Sequence, residues 1–138
     1  MPVEQVAEAN ARFYRAFETL DLPVMETVWA HGEHVRCVHP GWPLLVGWAM
    51  VRASWETIFT HTGEIRFTLA DVRPSRHGDL AWVTCTEHIL TEHEDRLAVT
   101  AVLATNLFER DGDRWRMIHH HASHIFGAPA PAPDTMTA

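Results

Sequence analysis

Histidine is the residue type that gives this sequence its best means of doing chemistry. The chain has eleven histidines, among them His39, His88 and the run at 119–121. An imidazole exchanges its proton near neutral pH, so a histidine in a cavity can act as a general acid or base. We take His88 and His120 as catalytic candidates, provided that one cavity holds both. His39, at the start of an apolar loop, is predicted either to act at the cavity mouth or to hydrogen-bond the backbone of its own loop.

The same histidines raise the question of a metal site. In a strand, His119 and His121 would project from one face and His120 and His124 from the other, and imidazole suits zinc, nickel and copper. The spacing matches neither a zinc finger nor an HExxH helix, and no cysteine or carboxylate motif completes a set. The sequence therefore predicts no resident metal and no cofactor.

Charge and composition narrow the class of protein. Eleven Lys and Arg against eighteen Asp and Glu give a formal charge of −7, which disfavours binding to nucleic acid or to anionic membranes. Cys37 and Cys85 lie in apolar stretches without a CxxC motif and are predicted to be buried, reduced thiols. Neither a membrane span nor a signal peptide is evident, so we expect a soluble, cytoplasmic protein with a single domain.

Two patterns of apolar residues divide the chain. Helical spacing predicts a first helix over about 3–20, a short second helix from Asp21 to near Gly32, and a third after Gly47. From residue 64 the period becomes two, which predicts strands near 64–73, 79–91, 96–110 and 113–124, after a short strand at 34–39.

Turn signals and the order of elements indicate the fold class. Asp111 and Gly112 favour a two-residue turn that makes the last two strands a hairpin. The segment 127–138, GAPAPAPDTMTA, has little apolar material to pack and is predicted to be a disordered tail. Helices followed by long strands indicate an α+β domain over 1–126, with a curved antiparallel sheet wrapped around helices into a cone.

Two motifs carry a family resemblance. The order of elements, HPGW at 39–42 and WRMIHHHAS at 115–123 resemble SnoaL-like members of the nuclear transport factor 2-like superfamily. The last strand is similar to that of the calcium/calmodulin-dependent protein kinase II association domain. The resemblance covers about 3–126 and implies a cystatin-like fold. The superfamily includes isomerases, dehydratases and cyclases as well as non-enzymatic modules.

Strand register decides which side chains share the cone. Pairing Arg110 with Asp113 places Leu103, Thr105, Ile118, His120 and Ala122 on one face, and a bulge would exchange these assignments locally. The resemblance assigns this face to the cavity. A four-residue loop at 92–95 adds Trp82, Thr84, Thr86 and His88, whereas a three-residue loop would bring Glu87 instead.

The sequence thus predicts a pocket for a small hydrophobic molecule. Its chemistry would be that of a cofactor-free acid/base enzyme of the isomerase, cyclase or dehydratase type; the alternative is a non-catalytic dimerisation or binding module. A homodimer is expected through the sheet face that bears Phe108, Trp115, Met117 and His119. The predicted site residues are His88 and His120 as catalytic groups, with Tyr14, Trp29, His39, Trp42, Trp55, Trp82, Thr84, Thr86, Leu103, Thr105, Ile118 and Ala122 binding the ligand.

Overall fold

The structure, a computed structural model, describes residues 2–126, except the side chains of Pro2 and His93. The predicted tail at 127–138 lies outside the described residues. In chain order the elements are α1 (Pro2–Thr19), α2 (Leu22–Glu26), β1 (Arg36–Val38), β2 (Leu45–Val46), α3 (Trp48–Thr60), β3 (Glu64–His77), β4 (Leu80–His93), β5 (Arg96–Asp111) and β6 (Arg114–His124).

The first helix forms because its apolar residues recur every three or four positions. Val6, Ala9, Phe13 and Phe17 are all buried on the face that packs against the sheet. Near its end, the Glu18 carboxylate accepts a 2.9 Å hydrogen bond from the Phe67 backbone N–H on β3. α1 is thereby fastened across one edge strand of the sheet.

Six strands form one mixed sheet in the order β2-β1-β6-β5-β4-β3. All neighbouring strands are antiparallel except β1 and β6, which run parallel. The predicted α+β, cystatin-like fold is confirmed, with the parallel pair as a departure from the predicted antiparallel sheet. The sheet is curved but not closed, and the helices cover only its inner face.

Two irregularities alter the strand register. In β3, Asp71 has a φ of 53°, and the pairing with β4 shifts between Ala70 and Arg73. In the β5–β6 hairpin, Phe108 pairs with Met117 but the next pair is Leu107 with His119. Ile118 is therefore an extra residue, and a bulge of this kind turns every following side chain of β6 to the opposite face.

The inner and outer faces of the sheet differ in burial. On β5, Val102, Ala104 and Phe108 are fully buried beneath the helices, whereas Leu103 on the outer face is 51% exposed. Phe108, Trp115 and Met117 are core residues, so the prediction that they form an exposed dimer face is wrong. No helix among the described residues is long and apolar enough to cross a membrane.

Candidate functional site

A chain of polar side chains crosses the interior of the cone. We call Asn10, Tyr14, Glu87, Asn106 and His120 the interior polar cluster; each is at most 4% exposed. The Tyr14 hydroxyl donates to Glu87 Oε2 at 2.5 Å, and Asn106 Nδ2 donates to Tyr14 Oη at 3.1 Å and to Asn10 Oδ1 at 2.9 Å. His120 Nδ1 lies 2.6 Å from Asn106 Oδ1. Buried polar groups that satisfy one another in this way hold a fixed geometry.

Local structure explains why these residues meet. Asn10 and Tyr14 are four residues apart on α1 and therefore share the helix face that lies on the sheet. Asn106 and His120 are direct partners in the β5–β6 pairing. Glu87 is on the neighbouring strand β4, at an inner-face position. One helix face and three adjacent strands thus build the cluster.

The hydrogen bonds determine the tautomer of His120. Because both Asn106 contacts through Nδ2 are donations, Asn106 Oδ1 is the acceptor towards His120, and His120 Nδ1 carries the proton. The lone pair is then on Nε2. Burial, with smaller contributions from His39, His119 and His121, holds the pKa of His120 well below its usual value. His120 is therefore a neutral imidazole at neutral pH.

Glu87 is the group of this cluster that can change protonation near neutrality. Burial raises its pKa to about 7, although the Tyr14 hydrogen bond acts in the opposite direction. The pKa of Tyr14 is raised well above its usual value by burial and then by the Glu87 and Cys85 charges. Tyr14 thus stays protonated as a donor while Glu87 can take up or release a proton.

The burial of the inner face ends partway along β4 and β5. On the inner face of β4, Cys85 and Glu87 are 1% and 2% exposed, whereas Ile89 is half-buried. Their partners on β5 show the same change, since Val102 is buried and Thr100 is exposed. Glu87 is therefore the last buried polar group on the inner face of β4 before that face becomes partly accessible to solvent.

His39 belongs to a separate polar contact in the core. Its Nε2 lies 2.9 Å from Ser54 Oγ, and Ser54 gives its own proton to the Val51 carbonyl, so His39 Nε2–H is the donor. Trp42 and Trp55 lie against the ring at centroid distances of 5.0 and 4.7 Å. Burial lowers the pKa of His39 to about 4. Since His39 is only 2% exposed, its predicted place at the cavity mouth is wrong.

Residues 6–127 match the family model of the SnoaL-like domain. The chain belongs to the SnoaL-like family. A candidate dehydratase of the NTF2-like family from Streptomyces avermitilis is 41% identical, with 91% of this chain and 97% of that chain covered at a TM-score of 0.86.

Two further relatives of this SnoaL-like domain are proteins of different kinds. A candidate calcium/calmodulin-dependent protein kinase type II association domain from Thiobacillus denitrificans is 37% identical, with 86% of this chain and 93% of that chain covered at a TM-score of 0.77. The F-box protein SKIP8 of Arabidopsis thaliana is 29% identical over 118 residues, which are 86% of this chain. The domain spans about half of that relative, 48% of its length.

The SnoaL-like domain does not bring its two predicted catalytic histidines together. His120 lies inside the cone, whereas His88 is exposed on the outer face of the sheet. The predicted turn at Asp111 and Gly112 is off by one residue, since the turn is Gly112 and Asp113 and Arg110 pairs with Trp115 in place of Asp113. This shift of two in the pairing keeps the faces, so the bulge at Ile118 is what turns His120 inward. The condition on which both were catalytic candidates is therefore not met.

The other predicted ligand-binding residues divide in the same way. Five of them are buried inside the cone: Tyr14, Trp29, His39, Trp55 and Ala122. On the outer face are Trp82, Thr84, Thr86, Leu103 and Thr105. Ile118 is half-buried at the bulge, and Trp42 is 36% exposed in its loop. The outer group is thus separated from the interior by the sheet itself.

The β4–β5 loop is shorter than predicted, but the side chains of β4 and β5 still share faces as predicted. His93 pairs with Arg96, so the turn is the two residues Glu94 and Asp95, both with positive φ, in place of the predicted four. A change of two residues preserves the alternation of side chains. Thr84 and Thr105 therefore still share a face, as predicted, although this face lies outside the cone.

Sequence reasoning missed Glu87 and Asn106 as members of an interior site. A signal for Glu87 was present, because it alternates with Val83 and Cys85 and so continues the buried side of β4. Asn106 offers a similar signal between Ala104 and Phe108. Polar residues at apolar-face positions of a strand are the pattern that would have found both.

Proposed function

We propose that this SnoaL-like domain binds a small hydrophobic molecule at the mouth of its cone and exchanges a proton with it through Glu87. The observation that carries this proposal is a buried carboxyl whose pKa of about 7 makes both protonation states available at neutral pH. The half-buried Ile89 and the aromatic ring of Phe67, which lies 5.0 Å from that of Tyr14, supply apolar surface beside it.

The interior polar cluster would hold Glu87 ready for this exchange. Tyr14 donates to the carboxyl and is itself positioned by Asn106, so the free carboxyl oxygen is turned in a fixed direction. Cofactor-free isomerisation, cyclisation or dehydration each need a proton moved between two positions of one molecule. Similarity to a candidate dehydratase, at 41% identity, supports dehydration among the three.

Ligand screening with variants of similar side-chain shape tests the proposal. Steroid-like and polyketide-like compounds are screened by thermal shift against the wild type, Glu87→Gln and Tyr14→Phe, with His88→Gln on the outer face as control. We expect a binding compound whose affinity changes around pH 7 in the wild type and in the control, but not in Glu87→Gln. An affinity that varies with pH equally in Glu87→Gln would contradict the assigned role.

The second candidate function is a non-catalytic dimerisation module, and the exposed outer face favours it. Trp82, Leu103 and Val99 are 38%, 51% and 74% exposed on this one surface. Four strands at about 4.8 Å spacing and at least eleven residues long cover about 19 by 36 Å, or roughly 700 Å². Stable dimers bury about 800 Å² on each partner, so a second copy of the chain fits this face. Similarity to a candidate kinase association domain supports it.

Sedimentation velocity separates this face from other exposed apolar residues. Leu103→Asp should dissociate the dimer, because it places a charge at the centre of the face. Leu44→Asp is the matched control, since Leu44 is 54% exposed but lies in the loop before β2. If both variants remain dimeric, the interface lies elsewhere.

We also propose that the domain lies in the cytoplasm and has no nucleic-acid or membrane partner. Cys37 and Cys85 are free and buried, which supports a reducing compartment such as the cytoplasm. The formal charge of −7 supports the absence of a nucleic-acid or anionic membrane partner.

A further inference from the structure

Two histidines stand side by side on the outer face of the sheet. His119 and His121 are two residues apart on β6 beyond the bulge, and their ring centroids are 6.0 Å apart at an angle of 48°. Two imidazoles bound to one zinc ion through Zn–N bonds of about 2.0–2.1 Å have centroids about 5–6 Å apart. Small side-chain rotations would therefore let both rings bind a single ion.

The pair is accessible to an ion from the outer face. The two rings line a depression that also includes Thr105 and Ser123 and contains no carboxylate. The Arg36 charge on β1 opposes a cation, although one Arg36 nitrogen is held by the carbonyls of Glu33 and Val35.

One chain alone supplies too few ligands. Among the described residues, no group of three or more His, Cys, Asp or Glu side chains is placed to hold a metal ion. Protein sites for zinc commonly have four ligands, or three with a water molecule. Two imidazoles therefore form half of a site.

The position of the pair indicates where the other half would come from. The pair lies opposite Leu107 and Thr105 of β5, and Thr105 is two residues along this strand from Leu103, the residue at the centre of the proposed dimer face. In a symmetric dimer the two-fold axis passes through the centre of the shared patch, so central residues meet their own copies. A second copy on this face would bring four imidazoles to one place.

We infer that His119 and His121 form half of a site for a divalent transition metal, zinc or nickel, which a second copy of this chain completes. This inference rests on the proposed association through the outer face. A bound ion would join the two copies, because each supplies two ligands and neither alone supplies enough. Metal and dimer would then stabilise one another by mass action.

Sedimentation velocity of the full chain without an affinity tag, in EDTA or in zinc chloride, tests the inference. Zinc at about ten times its dissociation constant should lower the dimer dissociation constant about tenfold in the wild type. Neither His119→Gln nor His121→Gln should respond, while His88→Gln, elsewhere on the same face, should respond as the wild type does. Calorimetry should find one ion for two chains, and nickel chloride should give the same pattern.

Three results would overturn the inference and tell its failure apart from that of the dimer. A zinc response that persists in both histidine variants places the ion elsewhere. A dimer that Leu103→Asp dissociates but zinc leaves unchanged refutes the metal site and keeps the interface. Binding of one zinc ion per chain, together with no effect of Leu103→Asp on assembly, refutes both the metal site and the interface.

Discussion

The Tyr14 hydroxyl donates a 2.5 Å hydrogen bond to Glu87 Oε2, across 73 positions of sequence. This contact joins α1 to β4 inside the cone. Tyr14 also accepts from Asn106, so a single phenol links the titrating carboxyl to the rest of the interior polar cluster. The pH behaviour of the domain should therefore depend on this pair.

Glu87→Gln should change how stability depends on pH. The pKa of Glu87 is about 7 in the folded chain against 4.5 for an ordinary glutamate, so the unfolded chain loses this proton first. Folding is then penalised progressively from pH 4.5 to 7, by up to about 3 kcal/mol. The unfolding free energy of the wild type relative to Glu87→Gln should fall over this range in urea titrations. A difference that is constant with pH would contradict the assigned pKa.

Tyr14→Phe should destabilise the domain and raise the pKa of Glu87 further. The Tyr14 hydrogen bond favours the charged carboxylate, so its loss moves the pKa upward from about 7. The donor lost to Glu87 and the Asn106 N–H that loses its Tyr14 acceptor should together cost about 1–3 kcal/mol. A double-mutant cycle with Glu87→Gln, read by urea unfolding, should give a nonzero coupling energy. Additive effects would show that the two side chains do not interact.

His39→Gln should make the domain more resistant to acid. Burial lowers the pKa of His39 to about 4, so the folded state holds a neutral ring where the unfolded state binds a proton below pH 6.5. The stability that results is complete above pH 6.5 and is lost by about 3 kcal/mol as the pH falls to 4. Glutamine keeps a donor for Ser54 but cannot titrate. Thermal melts from pH 4 to 7 should show a shallower decline for the variant than for exposed His77→Gln.

Met117→Asp and Leu103→Asp should have opposite consequences for folding. Met117 is fully buried on the inner face, so an aspartate there would bury an unpaired charge and should prevent folding. Leu103 is 51% exposed on the outer face and should tolerate the change within about 0.5 kcal/mol when the chain is monomeric. Circular dichroism melts at low protein concentration compare the two. A folded Met117→Asp would mean that the inner and outer faces are interchanged.

Much of the fold was predictable because local patterns carry it. The helical spacing of Phe13 and Phe17 and the two-residue period from Glu64 onward place α1 and the four long strands correctly. The facing of β4 against β5 was also predicted, since an error of two residues in the loop leaves the alternation intact. The parallel pairing of β1 with β6 was not predicted, because it joins segments about 80 residues apart and has no local signal.

The candidate site shows which features the sequence alone does not determine. Alternation along β4 and β5 determined that Thr84, Thr105 and His88 share a face, and the family resemblance implied a cone. Only the tertiary structure decided that this face is the outer one and that His120 lies on the other, since one extra residue at Ile118 reverses His119 to Ser123 and sets His120 beside Asn106. A bulge costs little locally and is selected by packing against α1, so the strand pattern does not record it. Burial of Glu87 is likewise decided by the helix above it, and that burial gives an ordinary carboxyl a pKa near 7.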